Sequence, residues 1–314
     1  MIKIGIIGSD GHIQHLADLI KKNEDFELTG WYNDRCKDLE DAIFPDNFIE
    51  YPTLEALFRY VDSVVVNLKT VSDPTIITKC LKYFKHVFLT DAQYLKYDDF
   101  GYFEKIADES NVKFYPEFGR LTSESIDSFL FGLKDLLYID INHTFSPNEG
   151  ICSGGKLSLA LLRDIDFLTN LIHANVKKVF ANGWGFCEPG AGMMNARIDF
   201  DNASSANLLL INSIKPRQVH TVLYGKSMVT TIYAIDNIIK INQESLSSGM
   251  MINCFETIIP ADNSLKQELI LFASAIQQKN FGLRSIENKY KSIRIAHLIH
   301  EKINHFASIN IFYS

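Results

Sequence analysis

The sequence predicts an α/β fold in two domains: a doubly wound parallel sheet over residues 1–120, then an α+β domain over residues 121–314 with a largely antiparallel, open sheet. Three observations predict it. The chain opens on an apolar run that breaks at glycine and passes into an amphipathic stretch, Lys3-Ile4-Gly5-Ile6-Ile7-Gly8-Ser9-Asp10-Gly11-His12-Ile13. Short apolar runs then alternate with helical patterns as far as about residue 120, as βαβ units do. Beyond that point strand-like segments follow one another with turn residues between them.

In chain order, strands are predicted near Ile2–Ile7, Phe26–Tyr32, Ser63–Val66, Val87–Leu89 and Lys113–Tyr115, with helices between them. Helical patterns at about Ser123–Leu133 and Leu157–Leu171 bracket a strand near Tyr138–Thr144. From Val176 to Ile241 the texture is β-rich; Ala196–Phe200, Ser205–Ile211, Val219–Tyr224 and Met228–Ala234 read as an antiparallel meander with turns at Asp201-Asn202 and Gly225-Lys226. Helices near Ser264–Gln278 and Ile286–Phe306 close the chain.

The opening segment carries a mechanism. An apolar strand delivers glycine to a tight turn, and the N–H groups of the following helix N-terminus face a phosphate. Gly8, Ser9, Asp10, Gly11 and His12 are therefore candidate cofactor-binding residues. A full Gly-x-Gly-x-x-Gly fingerprint from Gly8 is not present, since Asp10 takes the second glycine place and Ile13 the third. A carboxylate there repels a pyrophosphate, and Gly11 offers the turn one residue late. About 20 residues further on, where an acidic side chain meets the adenosine ribose, stand Asn33, Asp34 and Arg35. Asn33 or Asp34 suits a ribose 2′-hydroxyl and Arg35 a 2′-phosphate, so both NAD and NADP stay open.

Composition narrows the class. The chain has 314 residues, is 46% hydrophobic and carries a formal charge of −7. Its length suffices for two domains, and its acidity argues against a nucleic-acid partner. Small-molecule or protein partners fit better. Five cysteines, scattered and without a Cys-x-x-Cys pair, read as reduced thiols of a cytoplasmic protein. Met1 leads straight into the first strand and no long apolar run follows, so neither a secretion signal nor a membrane span is expected.

The order of features resembles the glucose–fructose oxidoreductase/inositol dehydrogenase/MocA family across nearly the whole chain. The stretches that carry the resemblance are Lys3-Ile4-Gly5-Ile6-Ile7-Gly8, Phe26-Glu27-Leu28-Thr29-Gly30-Trp31-Tyr32, Tyr51-Pro52-Thr53-Leu54-Glu55-Ala56-Leu57, Lys85-His86-Val87-Phe88, Arg163-Asp164-Ile165-Asp166 and Asn195-Ala196-Arg197-Ile198-Asp199-Phe200-Asp201-Asn202. The resemblance implies a Rossmann-type NAD(P)-binding domain, dehydrogenase chemistry on sugars, cyclitols or related compounds, and a homo-oligomer formed through the C-terminal sheet.

It also exposes departures at the positions that would carry that chemistry. Where the family places Glu-Lys-Pro, with the lysine reaching the nicotinamide ribose and the reacting hydroxyl, this chain has Thr90-Asp91-Ala92. Where the family carries Asp and His four residues apart on the helix after Gly154-Gly155, this chain has Leu159 and Arg163. Leucine has no proton chemistry, and a guanidinium with a pKa above about 12 accepts no proton at neutral pH. The cofactor shelf differs as well: Leu68-Lys69-Thr70 stands for a Thr-Pro-Thr-like turn, and Asp73 for a histidine. Leu68, Lys69 and Thr90 remain candidate cofactor contacts, with Lys69 able to hold a phosphate.

No catalytic set is intact on this reading. Asp91, Leu159 and Arg163 occupy the family positions, and His143, near the end of the first strand of the second domain, is the substitute candidate. Of the other histidines, His12 and His15 lie near the glycine turn, and His297 and His300 are a possible metal pair that no nearby Asp or Cys completes, so no metal is expected. The run from Gly183 to Gly192 reads as a strand end and hairpin turn in preference to an aromatic lid. Arg163 at the substrate cleft favours an anionic ligand. Three readings follow: a ligand-binding or partner subunit with little dehydrogenase activity, an active dehydrogenase or reductase with relocated acid/base residues, or a purely structural protein in which dinucleotide binding is weakened or lost.

Overall fold

The computed structural model describes residues 1–8, 12–33, 48–69, 71, 73–119, 130, 133, 135–145, 157–184, 192–213, 217–235, 238–248, 250–258, 263–278 and 286–310. The chain divides into two compact units, residues 1–119 with 265–286 and residues 120–264 with 287–314.

In the first unit β1 (Ile2–Ile7), β2 (Phe26–Tyr32), β3 (Ser63–Asn67), β4 (His86–Thr90) and β5 (Phe114–Pro116) form a parallel sheet in the order β2-β1-β3-β4-β5. The first two fall on their predicted spans, and the others differ by one residue at one or both ends. β3 is buried at every position and β1 at every position but Lys3. Such near-continuous apolar strands belong to a sheet covered on both faces. The helices of this unit are α1 (His12–Lys21), α2 (Leu54–Phe58), α3 (Thr75–Lys82) and α4 (Tyr97–Glu109). Because β2 lies on one side of β1 and β3 on the other, the strand order reverses at β1, and in sheets of this kind that switch point, beyond the C-terminal ends of the strands, is where ligands bind.

The second unit holds β6 (Leu136–Phe145), α5 (Leu159–Leu171), β7 (Val176–Trp184), β8 (Gly192–Phe200), β9 (Ser205–Asn212), β10 (Gln218–Gly225), β11 (Met228–Ile235), β12 (Ile238–Ser245) and β13 (Met251–Ile258). Its sheet runs β13-β12-β11-β10-β6-β9-β8-β7. Two sequence expectations change here. The sheet is not a simple meander, because β6 inserts between β9 and β10, parallel to the first and antiparallel to the second. The β-rich segment also continues past Ile241 through β12 and β13. The strand-to-strand alternation of Ile139, Ile141, His143 and Phe145 inward with Tyr138, Asp140, Asn142 and Thr144 outward places one face of β6 in a core.

The two closing helices part company. The last, α7 (Ile286–Asn310), belongs almost wholly to the second unit, where three polar contacts join it to α5: Lys289 to Asp166 at 3.8 Å, Thr169 to Ser292 at 2.9 Å, and Asn288 Nδ2 donating to Asn170 Oδ1 at 3.1 Å. The helix before it, α6 (Asn263–Ile276), returns to the first unit from Leu265 onward, so that unit takes in residues 265–286 besides residues 1–119. Leu269, Phe272 and Ala273 sit fully buried in one cluster with Ile4, Phe26, Val65, Phe88 and Tyr115. The Phe272 ring lies 5.4 Å from Phe88 and 5.8 Å from Tyr115, and the Tyr115 hydroxyl donates to the Glu268 carboxylate at 2.7 Å. An amphipathic pattern predicts that this stretch is helical but not which sheet it covers. The predicted helix at 123–133 lies outside the described residues except at Leu130 and Leu133.

Candidate functional site

In the first unit the candidate residues gather at the C-terminal ends of the parallel strands. β1 is followed by Gly8, whose N–H donates to the Tyr32 carbonyl at 3.2 Å and whose φ of 152° is one that a side chain resists. At the end of β2, Asn33 has a buried Oδ1 with no hydrogen-bond partner among the described residues. An unsatisfied buried acceptor costs about 1–3 kcal/mol, and a hydroxyl donor from a ligand would relieve it. At the end of β3, Asn67 is buried and its Oδ1 accepts the Lys69 N–H at 3.0 Å, which folds Leu68-Lys69 back over the strand end. Leu68 is buried there and the Lys69 side chain is exposed. Thr90, at the end of β4, donates its hydroxyl to the Val66 carbonyl at 3.4 Å.

Asp91 follows in the left-handed region at φ 56°, a conformation aspartate tolerates, and Ala92–Tyr94 form a 3-10 turn. Gln93 Nε2 donates to Asp91 Oδ1 at 3.1 Å. Asp73 is occupied by Thr75: it accepts the Thr75 N–H at 2.9 Å and the Thr75 hydroxyl at 2.5 Å. Those two hydrogen bonds hold its carboxyl below the usual aspartate range. Ser9, Asp10, Gly11, Asp34, Arg35 and Thr70, and the side chain of His12, lie outside the described residues.

In the second unit α5 starts at Leu159, where the Ser158 hydroxyl caps it by accepting the Leu161 N–H at 3.4 Å. Leu159 and Arg163, four residues apart, lie on one face of the helix, both half-buried. The next residue, Asp164, faces the sheet. Its Oδ2 lies 2.9 Å from His143 Nδ1, and the two side chains are 3% and 0% exposed. Nδ1 is thereby engaged, while His143 Nε2 is buried with no hydrogen-bond partner among the described residues. The Phe145 ring stands edge-on to the imidazole at 5.7 Å. The sequence singled out His143 and, separately, Asp164 as a family-like residue; it held no signal that β6 and α5 would bring them into contact.

The other candidates are not brought together. His297 lies 3.4 Å from Glu301 and His300 Nδ1 lies 3.3 Å from Asn304, so the two histidines of α7 point to separate partners. Among the described residues no three His, Cys, Asp or Glu side chains converge. Gly183 and Trp184 end β7 and Gly192 begins β8, which agrees with a strand end and hairpin, while residues 185–191 lie outside the described residues. No helix among the described residues is long and apolar enough to cross a membrane.

No protein-family model matches the chain, and no curated protein matches it by sequence. Solved structures do match in fold. A dehydrogenase from Chromobacterium violaceum superposes with a TM-score of 0.77 at 15% identity, covering 100% of this chain and 98% of its own. UDP-N-acetylglucosamine 3-dehydrogenase from Acidithiobacillus ferrooxidans gives 0.74 at 15% identity, covering 97% and 98%. A biliverdin reductase from Synechocystis, solved with biliverdin and NADP+, gives 0.69 at 16% identity, covering 96% and 99%. The fold is that of these oxidoreductases.

Proposed function

We propose that this chain binds a nicotinamide dinucleotide and a small anionic ligand on an oxidoreductase scaffold whose proton-transfer positions no longer work, so that it acts as a ligand-binding or partner subunit with little dehydrogenase turnover. The observation that carries the reading is the content of α5: a hydrocarbon at Leu159 and a permanent cation at Arg163 on the helix face where acid/base chemistry is expected. Asp91 adds a carboxylate where a cation would position a hydroxyl. A guanidinium such as that of Arg163 is the group that pairs with carboxylates and phosphates through two parallel hydrogen bonds.

The first unit fits the dinucleotide at two atoms. Gly8 keeps side-chain bulk away from the strand end, and Asn33 Oδ1 awaits a donor such as a ribose hydroxyl. Leu68, Lys69 and Thr90 would flank it. When bound, the dinucleotide supplies hydride transfer; what this chain adds is position and exclusion of water, without a proton acceptor at the family sites.

Titration with NADH and NADPH, followed by fluorescence, tests the binding half, and Asn33→Ala should weaken it about 5-fold if one hydrogen bond of about 1 kcal/mol is lost. A screen of polyols, sugars and sugar acids with NAD and NADP tests the rest. Turnover above about 1 s⁻¹, an ordinary enzyme rate, overturns the inactive reading.

One arrangement favours the alternative of an active dehydrogenase. His143 and Asp164 pair as a base and its orienting carboxylate do, with Nε2 left without a partner among the described residues. A measurable rate that His143→Ala abolishes supports it, and a rate indifferent to that change rejects it.

We further propose a homo-oligomer through the open face of the second unit's sheet. Trp184, Met193, Ile211, Ile235, Ile238 and Ile258 are all exposed, and the register sets them in one row across the sheet as two apolar runs, with Thr144 and Gln218 between Ile211 and Ile235. Light scattering of Ile235→Glu should show a lower mass than the unaltered protein. A reduced cytoplasm is the compartment we assign, in keeping with the buried thiol of Cys80, whose pKa burial pushes up.

A further inference from the structure

We propose that the corner joining α3 to β4, at the end of the parallel sheet opposite the glycine turn, docks an acidic segment of a partner protein around Phe84. α3 ends by a two-bond reversal, Phe84 N–H to the Leu81 carbonyl and Lys85 N–H to the Cys80 carbonyl, each at 3.0 Å. That closure sets residue 84 in the left-handed region, at φ 57°. Glycine suits such a position because any Cβ crowds the backbone there. α4 provides the comparison: it ends by the same closure, Asn111 N–H to Asp108 and Val112 N–H to Ala107, with asparagine, the usual non-glycine choice, at φ 53°. At the end of α3 the same position holds a phenylalanine that is 69% exposed. Backbone strain and an exposed aromatic ring thus coincide at one residue, and burial within the unit offsets neither. Strain kept where it does not help folding points to use outside the molecule.

Phe84 belongs to a patch. Tyr83 is 50% exposed with its ring 5.1 Å from Phe58, and Tyr60 is 57% exposed and stacked on Tyr51 at 5.6 Å. The corners that carry them are tied together: the Asp62 carbonyl accepts the His86 N–H at 3.1 Å, and the Val61 carbonyl accepts Lys85 Nζ at 2.8 Å. Rings already braced by neighbours lose little freedom on docking. Arg59 and Lys82, both exposed, flank the rings, with Asp62 the one acid on the two tied corners. On a chain of net charge −7 this is a local reversal of sign. A second copy using the same patch would set Arg59 and Lys82 against their own counterparts. An acidic segment bearing one apolar side chain meets rings and cations together, in the residue types that dominate interface energetics.

The test uses the full chain, its Phe84→Gly variant and the double variant Arg59→Glu/Lys82→Glu. The probes are fluorescein-labelled 12-residue peptides: Asp/Glu-rich around one central Leu, the same with Lys for every acid, and the acidic peptide without the Leu. By anisotropy the acidic, Leu-bearing peptide should bind best, weaken at least 10-fold with either variant, and weaken as salt rises. Phe84→Gly should keep or raise Tm, by about 2 °C, because it relieves the left-handed strain. Three results overturn the proposal: a lowered Tm, which makes the ring structural; equal binding by the lysine peptide or by Phe84→Gly; and a lower mass of Phe84→Gly in light scattering, which makes a second copy the occupant.

Discussion

Asp73 shows how a single residue's chemistry can be diverted to structure. Its carboxylate accepts two hydrogen bonds from Thr75 at the entry to α3, and those bonds lower its pKa in the folded state. The unfolded chain therefore takes up the proton first. The stabilisation is present above the ordinary aspartate value of about 3.9 and is lost as pH falls through the lowered folded value. Asp73→Ala should cost about 0.5–1 kcal/mol at pH 7 in urea unfolding, and the difference should shrink below about pH 4. His143 and Asp164 are the opposite case, since both are buried and joined at 2.9 Å. Asp164→Ala should cost about 2–3 kcal/mol, because it leaves the imidazole without its partner, and Asp164→Asn should recover part of the loss. Residue types at these positions were legible in the sequence, including the absence of a base at Leu159 and Arg163. The contact between His143 and Asp164 was not, because it joins residues 21 apart through the stacking of a helix on a sheet.

Elements were the most legible scale where pattern and chemistry agreed. β1, β2 and α5 fall within two residues of their predicted spans because apolar runs, helical periodicity and glycine breaks point the same way. Glycine placement inside elements has consequences of its own. In β2, a Cβ on Gly30 would sit 2.5 Å from the Ile49 carbonyl and 2.6 Å from the Tyr51 ring, where the segment carrying Glu50 bridges Trp31. In α4, a Cβ on Gly101 would meet nothing within 4 Å. Gly30→Ala should therefore destabilise by more than about 2 kcal/mol, as overpacking against backbone does. Gly101→Ala should stabilise by about 0.5–1 kcal/mol through helix propensity alone. Thermal unfolding of the two variants checks both signs.

At the scale of the whole molecule, the first unit is completed by a helix that the chain reaches only after tracing most of the second. Phe272 packs against Phe26, Phe88 and Tyr115 and is fully buried. Phe272→Ala should cost about 3–5 kcal/mol in urea unfolding, as large core deletions do, and a fragment of residues 1–119 should fail to fold until residues 263–286 are supplied. By itself the sequence determined the two architectures, the parallel character of the first sheet and the residue types that stand at positions 91, 159 and 163. These follow from periodicity, glycine and residue chemistry, which are local properties of the chain. Only the tertiary structure decided that α6 covers the first sheet, that β6 inserts parallel to β9, that His143 meets Asp164 and that Phe84 stands strained and exposed. Each depends on which apolar face found which partner, or on a dihedral set by a helix end, and neither is written in the spacing of residues.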